Sequence, residues 1–391
     1  MKKYKKSLVI AVGGGNDSIS TILLQLQLQK QLGYNPDEID ILSVLPDCVE
    51  YLNMDNLFNN ILFKINPNSE RSIEGSILNA FPEKILARHL DYFDELNLKN
   101  TLGVSTTHGS LGIYKSLKYL LELKSYDLIF AIDVGGDLIA HKDNVDVLSP
   151  MMDGLVLNAL NFLKDFITVT KIETDILYSV LGLGTDGEST PEMLDKALSQ
   201  LPDIQEFKFN RNYIEKFIPF YRNIVEKNRY SRTTDYMIKE IIGEDHPNPS
   251  DFRARFHCNE NKYYSYFSHK QDEKFFGKFY LFSDVSQLNN PFSFYCNSSL
   301  EWAIKACTEA IGLNHELNGQ CLNMEGKRIF IGTPSKRFDK DREKIINDIL
   351  LMLNENKYDL ALVYNNDLKY IDENNSLKIK MVSNSLSLIS I

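Results

Sequence analysis

SLVIAVGGGNDSISTILLQLQLQKQL, residues 7–32, is the stretch on which the fold turns. An apolar run from Leu8 to Val12 leads into Gly13, Gly14, Gly15, Asn16, Asp17 and Ser18. A long run of good helix formers follows, to Leu32. The order is that of a buried parallel strand, a glycine turn, and a helix opening on a polar cap. Three glycines let the backbone approach a ligand with no Cβ in the way, and they permit positive φ. The helix start behind them offers unpaired N–H groups and the positive end of its dipole, which suits a phosphate or carboxylate. Asp17 is the odd member, because a carboxylate repels an anion unless a cation lies between them. A hard ion such as Mg2+, or ligand hydroxyls, would give it work. The plainer reading is a tight turn with Asp17 as helix cap.

Outward from this unit the pattern repeats. Ile39–Leu45 reads as a second strand, and LFKI within 58–65 as a short one. Glu83–Leu96 reads as a helix, Thr101–Val104 as a weak strand, and Leu111–Leu123 as a helix. Tyr126–Ile132, YDLIFAI, is the clearest buried strand; the segment Ser149–Asp153 then precedes a helix to about Lys164. Asp175–Leu183 is a further strand, and Pro191 sits well at the start of the next helix. Strand, loop and helix alternating within 200 residues predict an α/β fold, a Rossmann-like doubly wound parallel sheet over 1–202. From about 203 the character changes. Residues 252–295 are dense in Phe and Tyr with Arg253, Arg255, Lys262, Lys270, Lys274 and Lys278 interleaved. Such a pattern serves single-stranded nucleic acid in some proteins; here a second core is the favoured reading. RIFIG (328–332), a charged helix over 339–354 and YDLALVY (358–364) predict one more strand–helix–strand unit. Residues 203–391 are thus expected to form a C-terminal α/β elaboration rich in aromatics, packed on the same site.

Four loops follow predicted strands: GGGNDS (13–18), STTHGS (105–110), DVGGD (133–137) and GTDGE (184–188). Right-handed crossovers put all four on one edge of a parallel sheet, where ligands of such folds bind. The binding residues expected are Gly13, Gly14, Gly15, Asn16, Asp17, Ser18, Thr106, Thr107, Gly135, Gly136, Asp153, Gly184, Asp186 and Glu188. Asp133 and Asp137 are candidates for acid–base work or for fixing a ribose diol, and His108 for proton transfer near neutral pH. Asp17 and Asp137 are the candidate ligands of a divalent cation, Mg2+. Capping of the next turn is the plainer role for Asp133, and simple solvation for Asp137. GGGNDS is neither a Walker A loop nor a GxGxxG fingerprint. No Gly-x-Ser-x-Gly elbow or Cys/His pairing supports a covalent hydrolase.

The 391 residues carry a formal charge of −10, which argues against nucleic acid as a partner. No apolar run approaches the ~20 residues needed to span a bilayer. Five scattered cysteines without a CxxC pair suit reduced thiols in a cytoplasm. A small-molecule ligand is the partner expected, and a homo-oligomer is compatible with the sequence.

The loop Gly13–Ser18 resembles the SGGxDS loop of PP-loop ATP pyrophosphatases, which hold pyrophosphate there; the resemblance implies ATP or another nucleotide as cofactor. It departs at its first position, where Gly13 stands for the family's serine. A longer resemblance is to an uncharacterised family, the domain of unknown function 1152. It rests on Gly13–Asp17, AIDVGGD (131–137), the Ser149–Asp153 segment and the G-x-DGE loop (184–188), with Ser231-Arg232-Thr233 extending it. It implies a fold and a site but no reaction. The expectation is an enzyme acting on a nucleotide or other phosphorylated or ribosylated metabolite by group transfer or hydrolysis. The alternatives are a non-catalytic sensor of such a ligand and a nucleoside-type glycosidic-bond hydrolase.

Overall fold

The computed structural model describes residues 2–45, 50–73, 76–78, 81–106, 109–140, 150–187, 189–225, 232–245, 253–258, 262–267 and 272–288, and short strands between 319 and 389. Its centre is a nine-stranded sheet: β1 (Lys6–Ala11), β2 (Glu38–Leu45), β3 (Asp55–Phe58), β4 (Leu62–Ile65), β5 (Leu98–Ser105), β6 (Leu128–Val134), β7 (Asp175–Leu181), β8 (Gln205–Lys208) and β9 (Lys278–Phe282). The spatial order is β8-β9-β7-β6-β1-β2-β5-β4-β3. The five central strands, β7-β6-β1-β2-β5, are all parallel. Taken in chain order they lie third, second, first, fourth, fifth from the β5 side, the order of a doubly wound Rossmann-like sheet. β9 and β4 close this core antiparallel on either side.

Seven helices are used below: α1 (Asp17–Leu32), α2 (Pro82–Arg88), α3 (Gly109–Lys124), α4 (Pro150–Thr170), α5 (Pro191–Gln200), α6 (Phe217–Phe220) and α7 (Arg232–Ile242). Alternate residues of the central strands feed opposite layers, as the two-residue period of a strand requires. Leu8 and Ile10 of β1 with Ile129 of β6 meet Leu117 of α3, Leu160 of α4 and Leu194 of α5. Val9 and Phe130 face the other way, onto Ile22 of α1, Ile85 of α2, Phe217 of α6 and Met237 of α7. Reversal of the crossover side between α1/α2 and α3/α4 falls at β1 and β6. Their carboxyl ends therefore flank the switch point of the sheet.

α1 is buried on all sides from Ser18 to Leu28, because residues beyond 203 roof it. Gln27 is the clamp: its amide donates to the Asn210 carbonyl (2.6 Å) and accepts the Asn210 N–H (3.1 Å). The sheet does not stop at residue 202, since β8 and β9 extend it. Phe279, Tyr280 and Phe282, part of the aromatic-rich stretch, lie in the main core. Arg253–Cys258 and Lys262–Phe267 form an antiparallel hairpin, and Lys327–Gly332 pairs in parallel with Ala361–Val363. The helix expected over 339–354 lies outside the described residues.

The helix expected over 83–96 is two pieces. α2 ends at Arg88, and a 3-10 helix, Leu90–Leu96, carries a non-helical Phe93 (φ −114°, ψ 50°). That break lets Phe93 pack among Phe217 and Phe220, burial that outweighs continuing the hydrogen-bond ladder. Among the described residues no helix is long and apolar enough to cross a membrane.

Candidate functional site

The carboxyl ends of β1, β5, β6 and β7 leave the sheet on one edge, since these strands are parallel. Three of the four loops meet there. Asp133, the penultimate residue of β6, is 2% exposed. Its carboxylate accepts the Leu138 N–H (3.1 Å), capping the 3-10 turn Asp137–Ile139, and the side chain of Asp153, in the first turn of α4, pulls its pKa down. Asp186 rests on the backbone of Gly135: its Cγ is 2.9 Å from where a Gly135 Cβ would begin, and Gly135 has φ +121°. Gly184 donates its N–H to the Gly135 carbonyl (2.7 Å), stitching the third and fourth loops together. Asp17 closes the group from the glycine turn, taking N–H groups of Gly13 and Val134.

Burial first, then the charge of Asp186, pushes Asp133 up to about 7 against the pull of the Leu138 and Val134 N–H groups and of Asp153. Asp17 is driven well above the usual carboxylate range by burial and then by Asp133. These carboxyls come from four segments of chain and converge on one place, so their repulsion is built into the fold. Asp137, buried at the head of its 3-10 turn, supplies backbone to that turn. The carboxylates that act on Asp17 are Asp133 and Asp186. Among the described residues, no group of three or more His, Cys, Asp or Glu side chains is placed to hold a metal ion.

Four amides of the glycine turn bond within the protein. Gly14 donates its N–H to Ala11 (3.2 Å), Asp17 to Gly14 (3.1 Å), and Ser18 to Gly15 (3.2 Å). The Gly15 N–H goes to the Glu83 carboxylate of α2 (3.0 Å), which also takes the Ser43 hydroxyl (2.8 Å). Ser18 turns its hydroxyl back to the Gly15 carbonyl (2.6 Å). Gly14, at φ +69°, is required by packing: a Cβ there would strike the Val44 carbonyl and come within 3.1 Å of Met152. Its lack of a side chain seats the turn against β2. Gly15 is the member with open space beside it. At Gly13 a Cβ would lie 2.5 Å from the Asp17 carboxylate. The serine of a pyrophosphatase loop therefore has no room while Asp17 holds its place.

Thr106 is buried at the end of β5, two strands from β1, where its hydroxyl reaches the Leu45 carbonyl (3.5 Å). Gly136 packs below Leu183 and Leu194. Asn16 precedes α1 without capping it by its side chain. Thr107, His108 and Glu188 lie outside the described residues, as does Ser231. Sequence reading missed Glu83 and Ser43. Pro82-Glu83 at a helix start has the look of an ordinary dipole complement, and no local signal says that it reaches a loop 68 residues away.

No curated protein matches the chain. Residues 8–233, more than half of the 391, match the family described as "Protein of unknown function (DUF1152)", and these residues contain the whole carboxylate group. The chain belongs to that family.

Proposed function

We propose that this protein is an enzyme acting on a small ribosylated or phosphorylated metabolite, a nucleoside or nucleotide being the model case. Its chemistry would be group transfer or hydrolysis. The observation that carries the reading is the pair of buried carboxyls Asp133 and Asp153, with Asp133 pushed up to about 7 and Asp17 and Asp186 beside it at the switch point of the sheet. A carboxyl held near neutrality can give or take a proton at the pH of a cell, which is what general acid–base catalysis asks of it. The flanking carboxylates suit a ribose diol, whose hydroxyls donate to them. That favours attack at the ribosyl carbon, with one member of the pair protonating the leaving group or deprotonating the incoming hydroxyl. The sequence also led to Mg2+ at Asp17 and Asp137. No step of the proposal is routed through an ion. The scattered cysteines fit a reducing cytoplasm as its compartment.

Thermal shifts with nucleosides and nucleotides, each with and without Mg2+, test the binding. A ligand at 100 times its Kd stabilises by about 2.7 kcal/mol. Turnover of whatever binds then separates enzyme from sensor. Asp133→Asn should keep binding and lose turnover; binding with no consumption by the wild type would leave a sensor in place of an enzyme.

A further inference from the structure

We infer that Glu83 decides which ligands the cleft admits: its carboxylate fills the anion-binding end of the glycine turn from inside, so that end takes a hydroxyl or ammonium donor and rejects phosphate. The inference rests on the cleft's being the ligand site and goes further, to the charge of the group that the site accepts.

The start of α1, a 16-residue helix, would ordinarily attract an anion through its free N–H groups and its dipole. Here the Gly15 N–H is already spent on Glu83, and the neighbouring N–H groups of Gly13, Gly14, Asp17 and Ser18 bond within the loop or to its own carboxylate. Glu83 is 1% exposed and pinned through one oxygen, Oε1, by both Gly15 and Ser43. Its other oxygen, Oε2, is buried and has no hydrogen-bond partner, and the same holds for Oδ1 of Asn16, the next residue along the loop. Two buried acceptors without a donor, beside the open space at Gly15, are a standing demand for a donating ligand. A phosphate would meet these two acceptors and a buried negative charge. A hydroxyl would satisfy one of these oxygens, and a diol or an ammonium both.

Inorganic pyrophosphate is the probe, followed by calorimetry on the whole chain. Wild type should not bind it. Glu83→Gln keeps an acceptor for Gly15 and Ser43 while removing the charge, and it should bind pyrophosphate measurably where wild type does not. Ser43→Ala loosens Glu83 but leaves its charge, and should gain nothing. Adenosine should bind wild type better than adenosine diphosphate does, with that order reversed in Glu83→Gln. If Glu83→Gln does not fold, Glu83→Ala takes its place. Pyrophosphate binding by wild type overturns the inference, as does an equal gain in Ser43→Ala or no gain in either Glu83 variant. Failure of adenosine alone, with the pyrophosphate pattern intact, would count against the ribosyl reading and leave Glu83's role standing.

Discussion

Asp133 is where one residue sets both a pH dependence and a stability cost. Its folded value near 7 lies above the ~3.9 of an unfolded aspartate. Between the two, the native state holds more protons than the unfolded chain. Stability therefore falls as pH rises from about 4 to 7 and then levels off, by up to a few kcal/mol for this group alone. Asp133→Asn removes the titration. Asn still accepts the Leu138 N–H and can donate to Asp153. Urea unfolding should show this variant more stable than wild type at pH 8, with the gap closing towards pH 4; a pH-independent gap would mean that Asp133 ionises normally. An activity that uses Asp133 as base should rise through an apparent pKa near 7. At Gly14 the expectation is structural. Gly14→Val meets positive φ and the Val44 carbonyl together, and should lower stability by about 1–3 kcal/mol or more. Normal stability in the Gly14→Val chain would show that the turn can shift away from β2.

At the scale of elements, the strand–turn–helix units were legible because each carries its own signal. β6 reads as an unbroken apolar run, since a central parallel strand is covered on both faces. The glycine and aspartate loops were legible as a set because parallel strands deliver them to one edge. What could not be read is what depends on distant partners. α1 carries Gln25, Gln27 and Gln29, which look like a solvated face, yet Gln25 and Gln27 are fully buried under residues from beyond 203. Asp153 is expected at this edge from its place at the start of α4, but its effect on Asp133 shows only in the fold. Glu83 is likewise local in sequence and distant in effect. The roof over α1 yields its own test. Gln27→Ala deletes both bonds to Asn210, whose exposed backbone can turn to water, at a cost of about 0.5–1.5 kcal/mol. Hydrogen exchange should then quicken first in the segment around residue 210, before the central strands. Uniform loss of protection would mean that the roof and the sheet open as one unit.

For the whole molecule, the two edges of the sheet divide the work. The carboxyl edge gathers carboxylates that repel one another; the amino edge gathers carboxylates that are fully answered. Asp40, near the start of β2 and 1% exposed, takes bonds from Asn100 (2.7 Å), Lys124 (2.9 Å) and the Tyr126 hydroxyl, so that β2, β5 and the lead-in to β6 are tied together. Asp127 accepts the N–H groups of Lys5 and Lys6 (2.8 and 2.9 Å) and fixes the entry to β1. Asp40→Ala should therefore be costly for stability. Breaking a buried pair typically costs 3–5 kcal/mol, but Lys124 is partly exposed and can turn to water, so about 2–3 kcal/mol is expected. The same change should leave the cleft alone. Five residues of strand separate Asp40 from the far end of β2, about 16 Å, beyond the range at which substitutions ordinarily couple. The double variant Asp40→Ala/Asp133→Asn should thus show the two stability changes adding to within about 0.5 kcal/mol, with the pH dependence lost as in Asp133→Asn alone. A larger discrepancy would mean that strain at the carboxyl edge is carried through the strands to the amino edge, and that the repulsion among Asp17, Asp133 and Asp186 is borne by the whole sheet and not by the loops that hold it.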